Sequence, residues 1–191
     1  MAGRQAKVIR PAQYCALLRH IRRHADPERS RVIVLLSLKA GLRAAEIAQL
    51  EWPMVLDATG RVSDSIAIDD RIAKKGSGRR IPMHSELRAA LRSLLRRSNG
   101  EGAVVRSQRG GTMRPNSIVN WFVALYGELG FEGCSSHSGR RTFITLAARL
   151  THRAGGSIRD VQLLAGHRSI DTTQRYIDGD SHAQRKLVSL L

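Results

Sequence analysis

Near the end of the chain, His167 and Tyr176 lie nine positions apart in Leu164-Ala165-Gly166-His167-Arg168-Ser169-Ile170-Asp171-Thr172-Thr173-Gln174-Arg175-Tyr176. A helical run through Ile158, Val161, Leu164 and Ala165 stops at Gly166, a residue that tolerates the backbone of a helix C-terminus. Ser169 and Asp171 both suit the opening of a second short helix. A histidine at a loop start and a tyrosine one short helix later can face the same point. Upstream, Glu46 lies one turn after Arg43, His137 and Arg140 share a helix face at spacing three, and Lys74 sits in a glycine-bearing turn. Each has an ordinary reading when taken alone. Tyr176 packs its ring in a core, His167 caps a helix, and a lysine in a turn faces water.

Taken together, these residues meet the needs of one reaction. Breaking a nucleic-acid strand without a metal requires an oxygen nucleophile, cations on the phosphoryl oxygens, and a proton donor for the leaving hydroxyl. Tyr176 supplies a phenolic oxygen. Arg43 and Arg140 carry planar forks that suit the two non-bridging oxygens of a phosphodiester. His137 and His167 can donate to those oxygens or accept the phenolic proton, whose unperturbed pKa near 10 calls for help. A lysine can release a proton to an alkoxide, whereas arginine effectively cannot. The chain holds 27 arginines but five lysines, so Lys74-Lys75 is an unusual choice where charge alone would serve.

The composition agrees with a polyanionic partner. Thirty-two Lys+Arg against 16 Asp+Glu give a formal net charge of +16, which points to nucleic acid without implying catalysis. At 191 residues, 42% of them hydrophobic, the chain suits one folded domain rather than a disordered basic tail. Cys15 and Cys134 are far apart and lack a CxxC partner, so neither a disulfide framework nor a zinc site is supported on them. Met1 to Arg10 is a basic arm without the apolar stretch of a signal peptide. The longest apolar run, Val32 to Leu38, is too short to span a bilayer. The reading is a soluble, cytoplasmic protein.

Periodicity places these residues on a mainly α framework with one small antiparallel sheet. A first helix from Pro11 turns Tyr14, Leu17, Leu18 and Ile21 inward, and Pro27 breaks it. Glu28 to Ala40 forms a second, more buried helix, and a third begins near Arg43 with Ala44, Ile47 and Leu50 inward. Ser65 to Asp69 alternates at period two, Lys74 to Gly78 turns, and Arg79 to Met83 returns as the second strand of a hairpin. Helices follow over His84 to Ser98, over Pro115 to Leu129, and after His137, the last with Phe143, Leu146, Ala147 and Leu150 inward. A polar turn from Asp178 to Ser181 leads to an apolar tail.

At this point the sequence resembles the tyrosine recombinase (phage integrase) family. Gly41-Leu42-Arg43-Ala44-Ala45-Glu46-Ile47 is similar to that family's first arginine box, and His137-Ser138-Gly139-Arg140 to its HxxR box. Ala165-Gly166-His167 with Thr173 and Tyr176 resembles the closing box. Lys74-Lys75-Gly76-Ser77-Gly78-Arg79-Arg80-Ile81-Pro82 is similar to its β-hairpin lysine motif, and the spacing back from Pro82 selects Lys74. The resemblance implies the fold of a DNA breaking-rejoining catalytic domain. It also implies a catalytic set of Arg43, Lys74, His137, Arg140, His167 and the nucleophile Tyr176, with Glu46 orienting the site. The reaction it implies forms a 3′-phosphotyrosyl link, frees a 5′-hydroxyl, and needs no cofactor, neither ATP nor a metal. The implied partners are double-stranded DNA, further copies of the chain in dimers or tetramers, and accessory DNA-bending proteins. On this reading residues 1–191 form one catalytic domain, with an arm over 1–10 and a protomer-docking tail over 177–191. The arginine box arrives at residue 43, which leaves no room for a separate N-terminal core-binding domain. Two departures concern packing under the site: Gly139 and Ala165 stand where the family usually has leucine.

Other readings remain beside this one. A type IB topoisomerase-like relaxing enzyme uses similar chemistry without exchanging partners. A catalytically idle DNA-binding relative needs the arginines but no nucleophile. A metal-dependent nuclease is disfavoured because Asp69-Asp70 has no nearby His or Glu. Gly76-x-Gly78 lacks the third glycine and the GK[ST] ending of a nucleotide-phosphate loop.

Overall fold

Helix α1 (Pro11–His20) presents Leu17 to the interior and runs into a 3₁₀ turn, Ile21–Arg23, that buries Ile21. The chain is described here by a computed structural model covering residues 6–74, 76–176 and 188–189. Pro27 ends one segment and opens the next. It occupies the first turn of α2 (Pro27–Lys39), where its missing N–H costs nothing, and the Asp26 side chain accepts from Arg29 N at 3.1 Å. Val32 to Leu36 and Leu38 are all buried, so α2 is enclosed on every side and forms the central element. Helix α4 (Ser85–Leu95) packs along it on one side and α6 (Ser138–Leu150) on another. Directly after α2 in sequence, α3 (Ala44–Gln49) buries Ile47 and rests on α5 (Pro115–Glu128).

The hairpin pairs β1 (Ser65–Ile68) with β2 (Arg79–Pro82) in antiparallel register, Ile66 opposite Ile81 and Ile68 opposite Arg79. Alternation turns Ile66, Ile68 and Ile81 into the core. Arg79 shares the inward face with Ile81, whereas Arg80 points out. At the base of the turn, Asp70 Oδ1 accepts from Gly78 N at 2.7 Å. Helices α7 (Ile158–Ala165) and α8 (Ile170–Gln174) complete the domain, with Ser169 capping α8 by accepting from Asp171 N. Tyr176 follows two residues after α8.

The apolar side chains form two clusters rather than one. The larger joins α1 to α5 and the hairpin. The smaller has Ile144, Val161 and Ala165 at its centre, with Phe143, Ala147, Ile158 and Tyr176 against them. One expectation fails here: Leu146 and Leu150 lie about half exposed, at 47% and 50%. The buried face of α6 carries Ser138, Arg140, Thr142 and Thr145 instead. Phe143 and Ala147 do pack inward as expected, beside the fully buried Ile144, so only the two leucines of the expected stripe fail. No helix among the described residues is long and apolar enough to cross a membrane. Lys75, the first five residues of the basic arm and residues 177–187 and 190–191 lie outside the described residues. The expected turn at Asp178 to Ser181 and most of the expected apolar tail fall among them.

Gly139 makes the packing of α6 on α2 possible. A Cβ built there would sit 2.1 Å from Ser37 Oγ and 2.8 Å from Ser37 Cβ. The helices therefore approach more closely than a leucine at this position would permit, which gives the departure from the family pattern a structural reason. Both residues are buried. Gly139→Ala should destabilise the fold by about 1–3 kcal/mol, the usual cost of overpacking, and Ser37→Gly in the same chain should return part of it. Urea denaturation of the single and double variants measures both effects.

Candidate active site

Glu46 is fully buried and its carboxylate is claimed from two sides. Arg79 reaches it with a fork, Nη1 to Oε1 and Nη2 to Oε2, both at 3.0 Å. Arg43, which precedes α3, donates its backbone N–H to Oε2 at 2.9 Å and Nη1 to Oε1 at 2.8 Å. Burial by itself would raise the Glu46 pKa. The Arg79 fork and charge, then Arg43, outweigh it and hold the carboxyl below its ordinary range. Arg79 also donates Nε to the Leu164 carbonyl at 2.9 Å, tying the hairpin to α7. Its stem crosses Gly166, where an added Cβ would come within 2.9 Å of Arg79 Cδ. Gly166 also holds φ +62°, the left-handed cap that ends α7.

Arg140 is 3% exposed and lies where two helix ends meet. Its Nη1 donates to the Gly41 carbonyl and its Nη2 to the Ala165 carbonyl, each at 2.6 Å. These carbonyls follow the end of α2 and close α7, so the guanidinium satisfies acceptors that no further helical turn can reach. Burial and then the Arg43 charge pull its pKa down to about 10, which leaves it a cation at neutral pH.

Arg140 Nη2 also lies 3.0 Å from His167 Nε2. Because a guanidinium only donates, Nε2 must accept, and the proton of the neutral ring sits on Nδ1. That N–H faces Thr173 Oγ1 at 3.0 Å. Burial, reinforced by the charges of Arg140, Arg43 and Arg79, lowers the His167 pKa to about 4. Both ring nitrogens are therefore engaged in this structure. The ring stacks on Tyr176, with centroids 5.4 Å apart and planes inclined by 26°. Tyr176 is half-buried, Arg141 Cζ lies 5.8 Å from its ring centroid, and Thr145 Oγ1 donates to its carbonyl at 3.2 Å.

His137 stands at the start of α6 with an exposed side chain. Its pKa is lowered first by burial of part of the ring and then by Arg140, Arg43 and Lys74. Lys74, Arg43 and Arg140 are thus near enough to His137 to act on its charge, while His167 is bonded to Arg140 and carries Tyr176 by stacking. Lys74 is exposed in the turn, where its carbonyl accepts from Ser77 Oγ at 2.9 Å.

Two residues of the arrangement were not singled out as site residues from sequence. Arg79 had two signals, its place in the β-hairpin motif of the family resemblance and its period-two phase with the inward Ile81. Thr173, fully buried, is named in the closing box of the family resemblance but given no role there.

A mainly helical domain that carries Arg43, Lys74, His137, Arg140, His167 and Tyr176 in this order has a known counterpart. The chain belongs to the Phage integrase family, which it matches over residues 7–182. It is 31% identical over 162 residues to tyrosine recombinase XerC of Myxococcus xanthus, a match covering 78% of this chain and 49% of that protein. With tyrosine recombinase XerC of Methylobacterium sp. it shares 30% identity over 159 residues, 80% of this chain and 46% of the other. The chain thus spans about half the length of the curated relatives it matches. Among solved structures, the Tn1549 transposon integrase in complex with a circular intermediate DNA superposes with a TM-score of 0.75 at 21% identity, over 100% of this chain and 67% of the other. XerA recombinase gives 0.72 at 23%, over 97% and 65%. These likenesses establish the fold.

The electrostatics of His167 predict how stability depends on pH. Its folded pKa lies below its ordinary value of 6.5, so the unfolded chain takes up a proton that the folded chain refuses. The contribution is complete above about 6.5 and is lost progressively as pH falls toward about 4. His137, shifted in the same direction, adds to the slope. Melting temperature measured against pH should fall across this window, and His167→Gln should flatten the profile.

Proposed function

We propose that this chain is a tyrosine-type, site-specific DNA recombinase that cleaves and rejoins strands through a covalent 3′-phosphotyrosyl intermediate. The observation that carries the reading is the stacking of Tyr176 on His167 while that ring is held by Arg140, beside the Arg43–Glu46–Arg79 group. A phosphodiester entering this opening meets guanidinium groups whose positions are set before it arrives. Arg140 Nη2 can exchange its bond to His167 for one to a non-bridging oxygen, which frees the imidazole to take or share the Tyr176 proton. The phenolic oxygen then forms a bond to phosphorus as the bond to the 5′-oxygen breaks, and Lys74 supplies that oxygen with a proton. One ester replaces another, so the reverse attack by a 5′-hydroxyl restores the strand. His137, neutral in the resting site, donates to the phosphoryl oxygens. Double-stranded DNA is the substrate, consistent with the net charge of +16, and assembly of further copies on it brings two strands together. The curated relatives are recombinases rather than relaxing enzymes, which favours strand exchange. A DNA substrate and the lack of a membrane-crossing helix among the described residues support action in the cytoplasm, on nucleoid DNA.

The nucleophile and the general acid are tested separately. Tyr176→Phe should bind DNA with near-parental affinity yet form no adduct that survives SDS; a covalent complex with that variant would remove Tyr176 from its role.

Lys74→Ala should slow cleavage of ordinary DNA by roughly 10²–10⁴-fold, the usual worth of a general acid. A substrate with sulfur in place of the leaving 5′-oxygen should recover most of that rate, because a thiolate departs without a proton. Lys75→Ala should show only a modest, salt-sensitive binding defect. Rescue of Lys75→Ala instead would move the role by one residue.

A further inference from the structure

Away from the site around Tyr176, three metal-ligating side chains converge from two distant parts of the chain. His20 ends α1, His24 follows the 3₁₀ turn one helical turn later, and Glu128 is the last residue of α5. His20 Nε2 and Glu128 Oε2 are 2.7 Å apart, and one ligand atom from each of the three residues falls within 4.8 Å of the others. The His20 and His24 rings meet edge to face with centroids 5.5 Å apart, and Trp121 backs the His24 ring at 6.0 Å. Ser30 Oγ, from a fully buried residue, lies 3.0 Å from His24 Nδ1. An outer contact of this kind is what sets the orientation of a ligating imidazole.

From this geometry we propose that His20, His24 and Glu128 form a binding site for a divalent transition ion of the Zn²⁺ class. Two imidazoles and one carboxylate are an established donor set for zinc, with a fourth position left to water. Bonds of about 2.0–2.2 Å in a tetrahedral arrangement place ligand atoms roughly 3.4 Å apart, so the observed group closes on an ion by side-chain adjustment alone. Imidazole nitrogen excludes Mg²⁺ and Ca²⁺, which take oxygen ligands. The strand chemistry proposed above uses none of these residues and needs no ion, so the role is structural. The ion fastens α1 and the turn after it to the end of α5, 108 residues away.

Titration of the full chain with Co²⁺ at neutral pH, followed by visible absorption, tests this. One equivalent should bind with the d–d bands of a four-coordinate ion and no thiolate charge-transfer band, Zn²⁺ should displace it, and Mg²⁺ should not. His24→Ala and the solvent-exposed Glu128→Gln should each weaken binding at least about tenfold, the smallest loss expected when even an outer partner of a ligand is removed. Unchanged far-ultraviolet circular dichroism shows that both variants remain folded. Absence of saturable binding at one equivalent would overturn the proposal. So would a thiolate band that Cys15→Ser abolishes, or parental affinity in both variants.

Discussion

The Glu46 carboxylate is the single negative charge around which a strongly cationic site is assembled. A chain with twice as many basic as acidic residues has no shortage of cations to offer a phosphate. Its difficulty is to hold several of them close together before the phosphate arrives. Arg43, Arg79 and Arg140 repel one another, and burial amplifies the repulsion by lowering the local dielectric. Glu46, the one acidic side chain buried among the described residues, offsets it. Removing either partner of such a buried pair typically costs about 3–5 kcal/mol, because the charge left behind has no water to turn to. The pairing also links α3 to β2, and through Arg79 and the Leu164 carbonyl to α7. Charge balance and architecture thus rest on the same four oxygen contacts.

Arg140 solves a related problem with backbone rather than with a carboxylate. Helix ends carry carbonyls without intrahelical partners and a partial negative charge. By setting the Gly41 carbonyl, in the loop just past α2, and the Ala165 carbonyl, at the end of α7, against the same guanidinium, the fold stabilises a buried cation without neutralising it. A full counter-ion at Arg140 would compete with substrate for the charge. Carbonyl dipoles leave the formal charge intact, and one of the Nη2 contacts goes to a histidine that can release it.

Much of this was legible from residue types and spacing. The hairpin and the order of the helices follow from periodicity, caps and turn residues, while the boxes around Arg43, His137–Arg140 and His167–Tyr176 come from the family resemblance. The resemblance offers Glu46 as the residue that orients the site, but does not show that Arg79 is the cation that reaches it with a fork. Arg79 belongs to the hairpin motif and shares its phase with Ile81, but its role is not legible because it depends on a carboxylate 33 residues away. Leu146 and Leu150 misled for the complementary reason: a helix that lines a polar site turns its threonines and an arginine inward and leaves leucines outside. Gly139 read as a departure from the family pattern, and only the contact with Ser37 shows that the two positions are coupled.

The division of the apolar side chains into two clusters has a consequence for local stability. Tyr176 rests on the smaller cluster, between α6 and α7, and not on the core that holds α1 to α5 and the hairpin. Cooperative units of different size open with different free energies, and the smaller opens at lower cost. The side chains that hold Tyr176 therefore belong to the less costly unit, and Arg140 and Arg79 span the two through the Ala165 and Leu164 carbonyls. A disturbance of the small cluster reaches the nucleophile first, and it reaches the cations only through those two carbonyl bonds.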